Sequence, residues 1–133
     1  MKCLGILFQI DTFEYFAPLS SPKPKHRNMK NTLDFFKIKD GELGAVNFNN
    51  MIPVNENNYS LVDLNKETLT IAELKYQKLL REQLDWLNAN YKQVKNKSFK
   101  LYQLYSNGKL PKNIRARCCN FKLLEEKCVE YNK

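Results

Sequence analysis

Leu4-Gly5-Ile6-Leu7-Phe8-Gln9-Ile10, then Asp11-Thr12, then Phe13-Glu14-Tyr15-Phe16-Ala17-Pro18-Leu19: two apolar and aromatic runs flank one polar pair. This is the pattern of two strands joined by a tight turn. The second run gives way to Ala17-Pro18-Leu19-Ser20-Ser21-Pro22-Lys23-Pro24-Lys25-His26-Arg27-Asn28. Three prolines there withhold backbone donors, so an ordered but irregular loop is expected.

Further along, Phe35–Lys39 and Leu43–Phe48 flank Asp40-Gly41, a pair that tolerates positive φ and predicts a hairpin. Met51–Val54 reads as a short strand that Pro53 confines to an edge or an end. The period then changes. Thr70-Ile71-Ala72-Glu73 is a capping box that starts a helix at Ile71. Tyr76, Leu80, Leu84, Leu87, Tyr91 and Val94 recur every three or four residues, predicting a buried stripe on one helix that runs to about Tyr91 or slightly beyond. A second helix is expected over Ser98–Tyr105, ending at Asn107-Gly108. A third is capped by Asn120, with Phe121, Leu124, Cys128 and Tyr131 on one face. Strands first and helices after, without repeats or βαβ alternation, indicate an α+β fold on an antiparallel sheet.

At 133 residues the chain has room for one domain, and 43% hydrophobic with 27% charged residues is a globular composition. No apolar run approaches the roughly 20 residues that span a bilayer, and the run Cys3–Phe8 lacks a signal-peptide cleavage site. The four cysteines, two of them the adjacent Cys118 and Cys119, do not read as a disulfide framework, so a reduced cytoplasm is expected.

The net charge of +8 points to a polyanionic partner: nucleic acid, an acidic protein or an anionic membrane. Between Asp85 and Glu125 no acidic residue occurs, yet the interval holds Lys92, Lys95, Lys97, Lys100, Lys109, Lys112, Arg115, Arg117 and Lys122. Trp86, Tyr91, Phe99, Tyr102, Tyr105 and Phe121 lie among them, and cations interleaved with aromatic faces suit single-stranded nucleic acid. A second acid-free interval supplies Lys23, Lys25, Arg27 and Lys30 around the proline loop, and the two regions could form one groove. Lys78, on the long helix, is a further candidate contact. The competing reading makes these lysines a solvated face and the aromatics core; it is the stronger one for any single aromatic.

No metal site is expected from one histidine and no Cys-x-x-Cys, and no glycine falls in a phosphate-binding fingerprint. Glu125 and Glu126, sequential on a helix, diverge and suit a solvated face. The loop Ser20–His26 joins hydroxyls, ammonium groups and the only imidazole on a stiff backbone. That chemistry suits a phosphodiester: Ser21, Lys23 and Lys25 could meet phosphorane charge. A base role for His26 is conceivable, although a lone loop histidine is more often structural or a phosphate contact.

Four blocks carry a resemblance. They are Tyr15-Phe16-Ala17-Pro18-Leu19-Ser20-Ser21-Pro22-Lys23; Leu43-Gly44 with Asn47 and Met51-Ile52-Pro53; Gln83-Leu84 with Ala89-Asn90; and Cys119-Asn120-Phe121 with Leu123-Leu124-Glu125-Glu126-Lys127. In this order and spacing the chain resembles the toxins of type III toxin-antitoxin systems, the ToxN and AbiQ family. The resemblance implies a metal-independent endoribonuclease without cofactor that cuts adenine-rich cellular or phage RNA and leaves 2′,3′-cyclic phosphates. It further implies inhibition by a small repeated RNA that folds as a pseudoknot and closes with the toxin into a cyclic assembly.

The fold so implied is a strongly bent, barrel-like antiparallel sheet with flanking helices, similar to the MazF and Kid toxins. Ser21 matches the family's catalytic-loop serine, Ser20 its hydroxyl neighbour and Lys23 the loop lysine. His26 aligns with a histidine of some members, and Arg81 falls where a relative carries an active-site aromatic, implying phosphate contact. Family members usually begin with one more strand and loop, so this chain opens at what would be their second strand. A non-catalytic RNA-binding module using the same basic surface is the alternative.

Overall fold

The computed structural model describes residues 4–61, 67 and 69–131, the side chain of Tyr131 excepted. Strand β1 (Gly5–Ile10) pairs antiparallel with β2 (Phe13–Ser20) from Gly5↔Pro18 to Ile10↔Phe13. Asp11, at φ 53, supplies the left-handed residue of the two-residue turn, a conformation aspartate tolerates better than most. Phe8 and Ile10 are buried while Gln9 between them is exposed, and Tyr15 and Ala17 are buried on β2. The period of two thus orients the sheet: the face carrying Phe8, Tyr15 and Ala17 turns inward.

β2 is the centre of the sheet. Its first half also pairs with β5 (Ile52–Val54), through Glu14↔Val54 to Phe16↔Ile52; its end pairs with β4 (Ala45–Asn47), through Leu19↔Val46 and Ser20↔Ala45. β4 pairs in turn with β3 (Phe35–Lys37). Pro18 therefore lies inside a strand rather than ending one. The Leu19 N–H donates to Leu4 O, just before β1, at 2.8 Å, so the alternating nitrogen of Pro18 faces the opposite edge, in the gap between β5 and β4 where no donor is needed. The antiparallel sheet runs β1-β2-β4-β3 and, among the described residues, does not close. The barrel-like expectation is corrected to an open sheet.

The Asp40-Gly41 hairpin exists, with a longer connection than a two-residue turn. Lys39–Gly41 form a 3-10 turn, Lys39 and Asp40 both have positive φ, and the strands resume only after Gly44. The proline stretch is likewise more regular than expected, because Pro24 at the first helical position opens the short helix α1 (Pro24–Asn28).

Helix α2 (Ile71–Ala89) begins as expected: Thr70 Oγ accepts from Glu73 N at 3.2 Å, and the Glu73 carboxylate accepts from the Thr70 hydroxyl at 2.9 Å. Thr70→Ala should cost about 0.5–2 kcal/mol, read as a lower Tm in thermal melts with the RNA-cleavage pattern unchanged. The helix ends at Ala89, short of the expected Tyr91. Asn90 sits at φ −114, ψ 22 and its side-chain amide donates to Trp86 O at 2.8 Å, so a side chain competes with the ladder and the chain turns.

Tyr91 and Val94 therefore belong to α3 (Tyr91–Ser106), which begins well before the expected Ser98. Of the expected stripe, Leu87 and Val94 are buried, whereas Tyr76, Leu84 and Tyr91 are nearly half exposed. Leu80, Leu84 and Leu87 instead form one wall of an apolar groove of about 400 Å3 whose other wall is β1.

Gly108, at φ 67, ends α3; α4 (Lys112–Arg117) follows Pro111. In α5 (Phe121–Tyr131) the Asn120 side chain accepts from Leu123 N at 3.2 Å. Phe121 is fully buried and places its ring 6.1 Å from Tyr15 and 4.8 Å from Tyr105, closing α3 and α5 over the inner face of the sheet. No described helix is long and apolar enough to cross a membrane.

Candidate functional site

The basic loop is held from beneath. Ser20, the last residue of β2, accepts a hydrogen bond on Oγ from Asn47 Nδ2 at 2.6 Å. Gly44, at φ 98, lies so close that a Cβ there would stand 2.0 Å from Ser20 O and 3.2 Å from Ser21 C. Only glycine permits this approach. Behind Gly44, the buried Gln83 of α2 donates through Nε2 to Leu43 O at 2.8 Å. Strand, hairpin and helix thus fix one peptide, and on it Ser21 and Lys23 project exposed, with Lys25, Arg27 and Lys30 also exposed beyond. Lys23 occupies the N-cap position of α1 without a side-chain cap hydrogen bond, and no carboxylate pairs with these cations among the described residues.

His26 does not project with them. It is 3% exposed, its Nδ1 accepts the Lys23 N–H at 3.3 Å, and its ring lies 5.9 Å from Phe35. That hydrogen bond leaves the neutral ring's proton on Nε2. Burial, then the Lys25 and Lys23 ammonium groups, lower its pKa below the ordinary 6.5. The unfolded chain therefore takes up this proton at higher pH than the folded one. The stability contributed by the neutral ring is whole above about pH 6.5 and declines as pH falls toward the folded pKa. Melting temperature should drop between pH 7 and pH 5, and drop less in His26→Gln; parallel profiles would remove His26 from the account.

Arg81 is exposed on α2 two positions before Gln83, hence on roughly the opposite side of that helix from the Leu43 contact. Lys78 pairs with Glu82 at 3.9 Å. Three cations of the acid-free interval are engaged within the fold. Arg117 clamps buried Asp34 through Nε at 3.0 Å and Nη2 at 2.9 Å; burial alone would raise the Asp34 pKa, but these bonds and Thr32 outweigh it and hold the carboxyl below its ordinary value. Arg115 lies 4.4 Å over the Tyr105 ring, and Lys122 donates to Tyr102 Oη at 2.8 Å. Lys92, Lys95, Lys109 and Lys112 remain exposed, and Lys97 lies 5.1 Å over Phe36.

Of the interleaved aromatics, Tyr102, Tyr105 and Phe121 are core, while Tyr91 and Phe99 keep 48% and 39% of their surface and so retain faces for stacking. Glu125 is not on a solvated face. It is buried, and its Oε2 accepts from Tyr15 Oη at 2.7 Å and Tyr102 Oη at 2.8 Å; Glu126 alone is exposed. Burial and then Glu125 raise the Tyr15 pKa far above its ordinary value, so this phenol stays a donor. Burial pushes the Cys118 thiol up to about 11, and that of Cys119 up as well, so neither is a ready thiolate. Among the described residues no three His, Cys, Asp or Glu gather as metal ligands.

The sequence model of "Toxin ToxN, type III toxin-antitoxin system" matches residues 1–129. The chain belongs to this ToxN family. It is 36% identical over 136 residues to Endoribonuclease ToxN of Pectobacterium atrosepticum, covering 98% of this chain and 74% of that protein. Two solved structures of like fold agree. One, described as "A processed non-coding RNA regulates a bacterial antiviral system", is 36% identical with a TM-score of 0.78, covering 98% of this chain and 79% of its own. The other concerns type III systems and "selective toxin inhibition by a non-coding RNA pseudoknot"; it is 28% identical with a TM-score of 0.70, covering 97% of this chain and 78% of its own. Within the ToxN blocks, Gly44, Asn47 and Gln83 carry no chemistry that a sequence reading would single out. Their part lies in holding the Ser20-Ser21 peptide, which only the tertiary contacts reveal.

Proposed function

We propose that this ToxN family member is an endoribonuclease whose cleaving centre is the Ser20–Lys23 loop. The observation that carries the reading is the anchored Ser20-Ser21 peptide: two hydroxyls on a backbone fixed by Asn47 and Gly44, beside exposed cations that have no carboxylate partner among the described residues. Pre-positioned donors of this kind stabilise charge that develops only in the transition state.

The reaction is an internal transesterification. The substrate O2′ bonds to phosphorus, the bond from phosphorus to O5′ breaks, and one proton passes from O2′ to O5′, so nothing external is consumed. The product is a 2′,3′-cyclic phosphate and a free 5′-hydroxyl. Ser21 Oγ donates to a non-bridging oxygen of the phosphorane, and the Lys23 ammonium neutralises its charge. Ser20, with its oxygen already accepting from Asn47, keeps its own proton for the same oxyanion. Lys25, Arg27 and Lys30 lead the phosphate backbone into the loop, and Arg81 is a more distant phosphate contact. His26, buried and bonded to Lys23 N–H, shapes the loop rather than moving a proton.

Substrate and regulation follow the family: adenine-rich RNA of the cell or of phage as target, a small repeated pseudoknot RNA as inhibitor, and a cyclic protein–RNA assembly as the resting state. Incubation of the protein with adenine-rich RNA in EDTA, followed by analysis of the product ends, tests this reading. Cyclic-phosphate termini are expected. RNA that is bound and remains uncut would replace the enzyme with a non-catalytic RNA-binding module.

A further inference from the structure

Loop cations and α3 cations do not share a face. Successive strand side chains point to opposite sides, and on β3 Phe35 turns toward His26 whereas Phe36 meets Trp86 at 5.7 Å and Lys97 at 5.1 Å. β3 therefore stands between the two basic regions, at the open end of the sheet. The expected single groove is replaced by two sites with a strand edge between them.

On the Phe36 side a pocket of about 570 Å3 opens where α2 breaks into α3 at Asn90. Lys92, Asn96 and Lys100 follow one another at four-residue intervals on α3, with Gln93 and Lys97 beside them; Leu33 and Ala89 supply an apolar floor. Among the described residues Lys92 and Lys100 have no ion-pair partner, and Lys97 is held only by the Phe36 ring. Lys97 and Lys100 stand three residues apart, a spacing at which like charges repel. Three lysines line the pocket and, among the described residues, no carboxylate pairs with them, which makes it a place for an anion from outside. The two carboxamides and the apolar floor add what a bare phosphate would not use: paired donors and acceptors for a base edge, and a surface for its flat face.

Resting on the RNA-cleaving reading above, we propose that this pocket is a second, non-cleaving RNA site. It takes one unpaired nucleotide of the bound RNA, the base between Gln93, Asn96 and Leu33 and the flanking phosphates on Lys92, Lys97 and Lys100. RNA engaged by both sites passes around the open edge of β3. Strands too short to turn that edge reach only one of the two.

The test uses the full chain and a 2′-O-methyl adenine-rich oligonucleotide, which binds but cannot form a cyclic phosphate. Affinity is measured across a salt series for the parent, for Lys92→Gln with Lys100→Gln, and for a charge-matched control, Lys75→Gln with Lys127→Gln, distant in sequence and exposed on α2 and α5. The pocket pair should weaken binding about tenfold and flatten the log–log salt slope by roughly 1.4, two phosphates at about 0.7 each. The control should change both far less. Unchanged affinity and slope in the pocket pair, or an equal loss in the control, would overturn the pocket while leaving the cleaving loop standing. A parent that neither binds nor cuts RNA would overturn the functional reading itself.

Discussion

Gly44→Ala is expected to lower RNA cleavage at least about 100-fold, the penalty of moving a catalytic loop by about 1 Å, and to cost on the order of 3 kcal/mol of stability. Two effects add. At φ 98 an alanine is strained, and its Cβ would meet the Ser20 carbonyl oxygen at 2.0 Å, a backbone atom that no side-chain rotation can remove. The hairpin or the loop must shift, and either movement parts Ser20 from Asn47. Gly108→Ala separates the two effects, because φ 67 carries strain while nothing lies within 4 Å. It should lose about 1 kcal/mol and keep its cleavage rate. Single-turnover kinetics and thermal melts of both variants read the outcome; equal rates for Gly44→Ala and the parent would detach the hairpin from the site.

The second large effect concerns the scaffold. Glu125 is the common acceptor of two phenols, one on the central strand and one on α3, so its carboxylate ties α5 to both layers. Glu125→Ala removes two hydrogen bonds to a charged group, each worth roughly 1.5–3 kcal/mol, and leaves Tyr15 Oη buried without its acceptor. A loss of about 3 kcal/mol or more is expected in denaturant unfolding. Once the Tyr102 hydroxyl is removed, the exposed Lys122 ammonium can turn to Glu125, 3.7 Å away, or to water, whereas Tyr15 is fully buried, so Tyr102→Phe should cost less than Tyr15→Phe. The reverse order would show that Lys122, rather than burial, carries the network.

How much of this was legible in the sequence depended on whether the signal was local. The β1–β2 pairing, the capping box at Thr70 and the end of α3 at Gly108 are written in neighbouring residues, and each lies where its pattern put it. The break at Asn90 was hidden because apolar spacing continues across it from Leu87 to Val94, although a side-chain amide interrupts the helix. Pro18 within β2 was unreadable because its tolerance depends on which neighbour each half of the strand pairs with. Glu125 looked solvated because its partners are 23 and 110 residues away.

The candidate site divides in the same way. Ser20, Ser21 and Lys23 stand out by type and by their proline frame. The residues that hold them, Gly44, Asn47 and Gln83, come from three other parts of the chain. His26 was singled out for its chemistry, yet its position under Phe35 gives it the loop's shape to maintain. Charge alone also could not tell engaged cations from available ones. Arg117 and Lys97 sit in the same acid-free interval; one clamps Asp34 and the other faces a pocket.

The central claim is that the anchored Ser20–Lys23 loop cleaves RNA, and single-turnover cleavage of adenine-rich RNA by Ser21→Ala tests it most directly. Ser21 is exposed and takes no part in the described anchoring contacts, so the variant should fold, melt and bind RNA as the parent does. Its cleavage rate should fall about 100-fold or more, the loss expected when one oxyanion donor is removed. A Ser21→Ala protein that cut RNA at the parental rate would contradict the account.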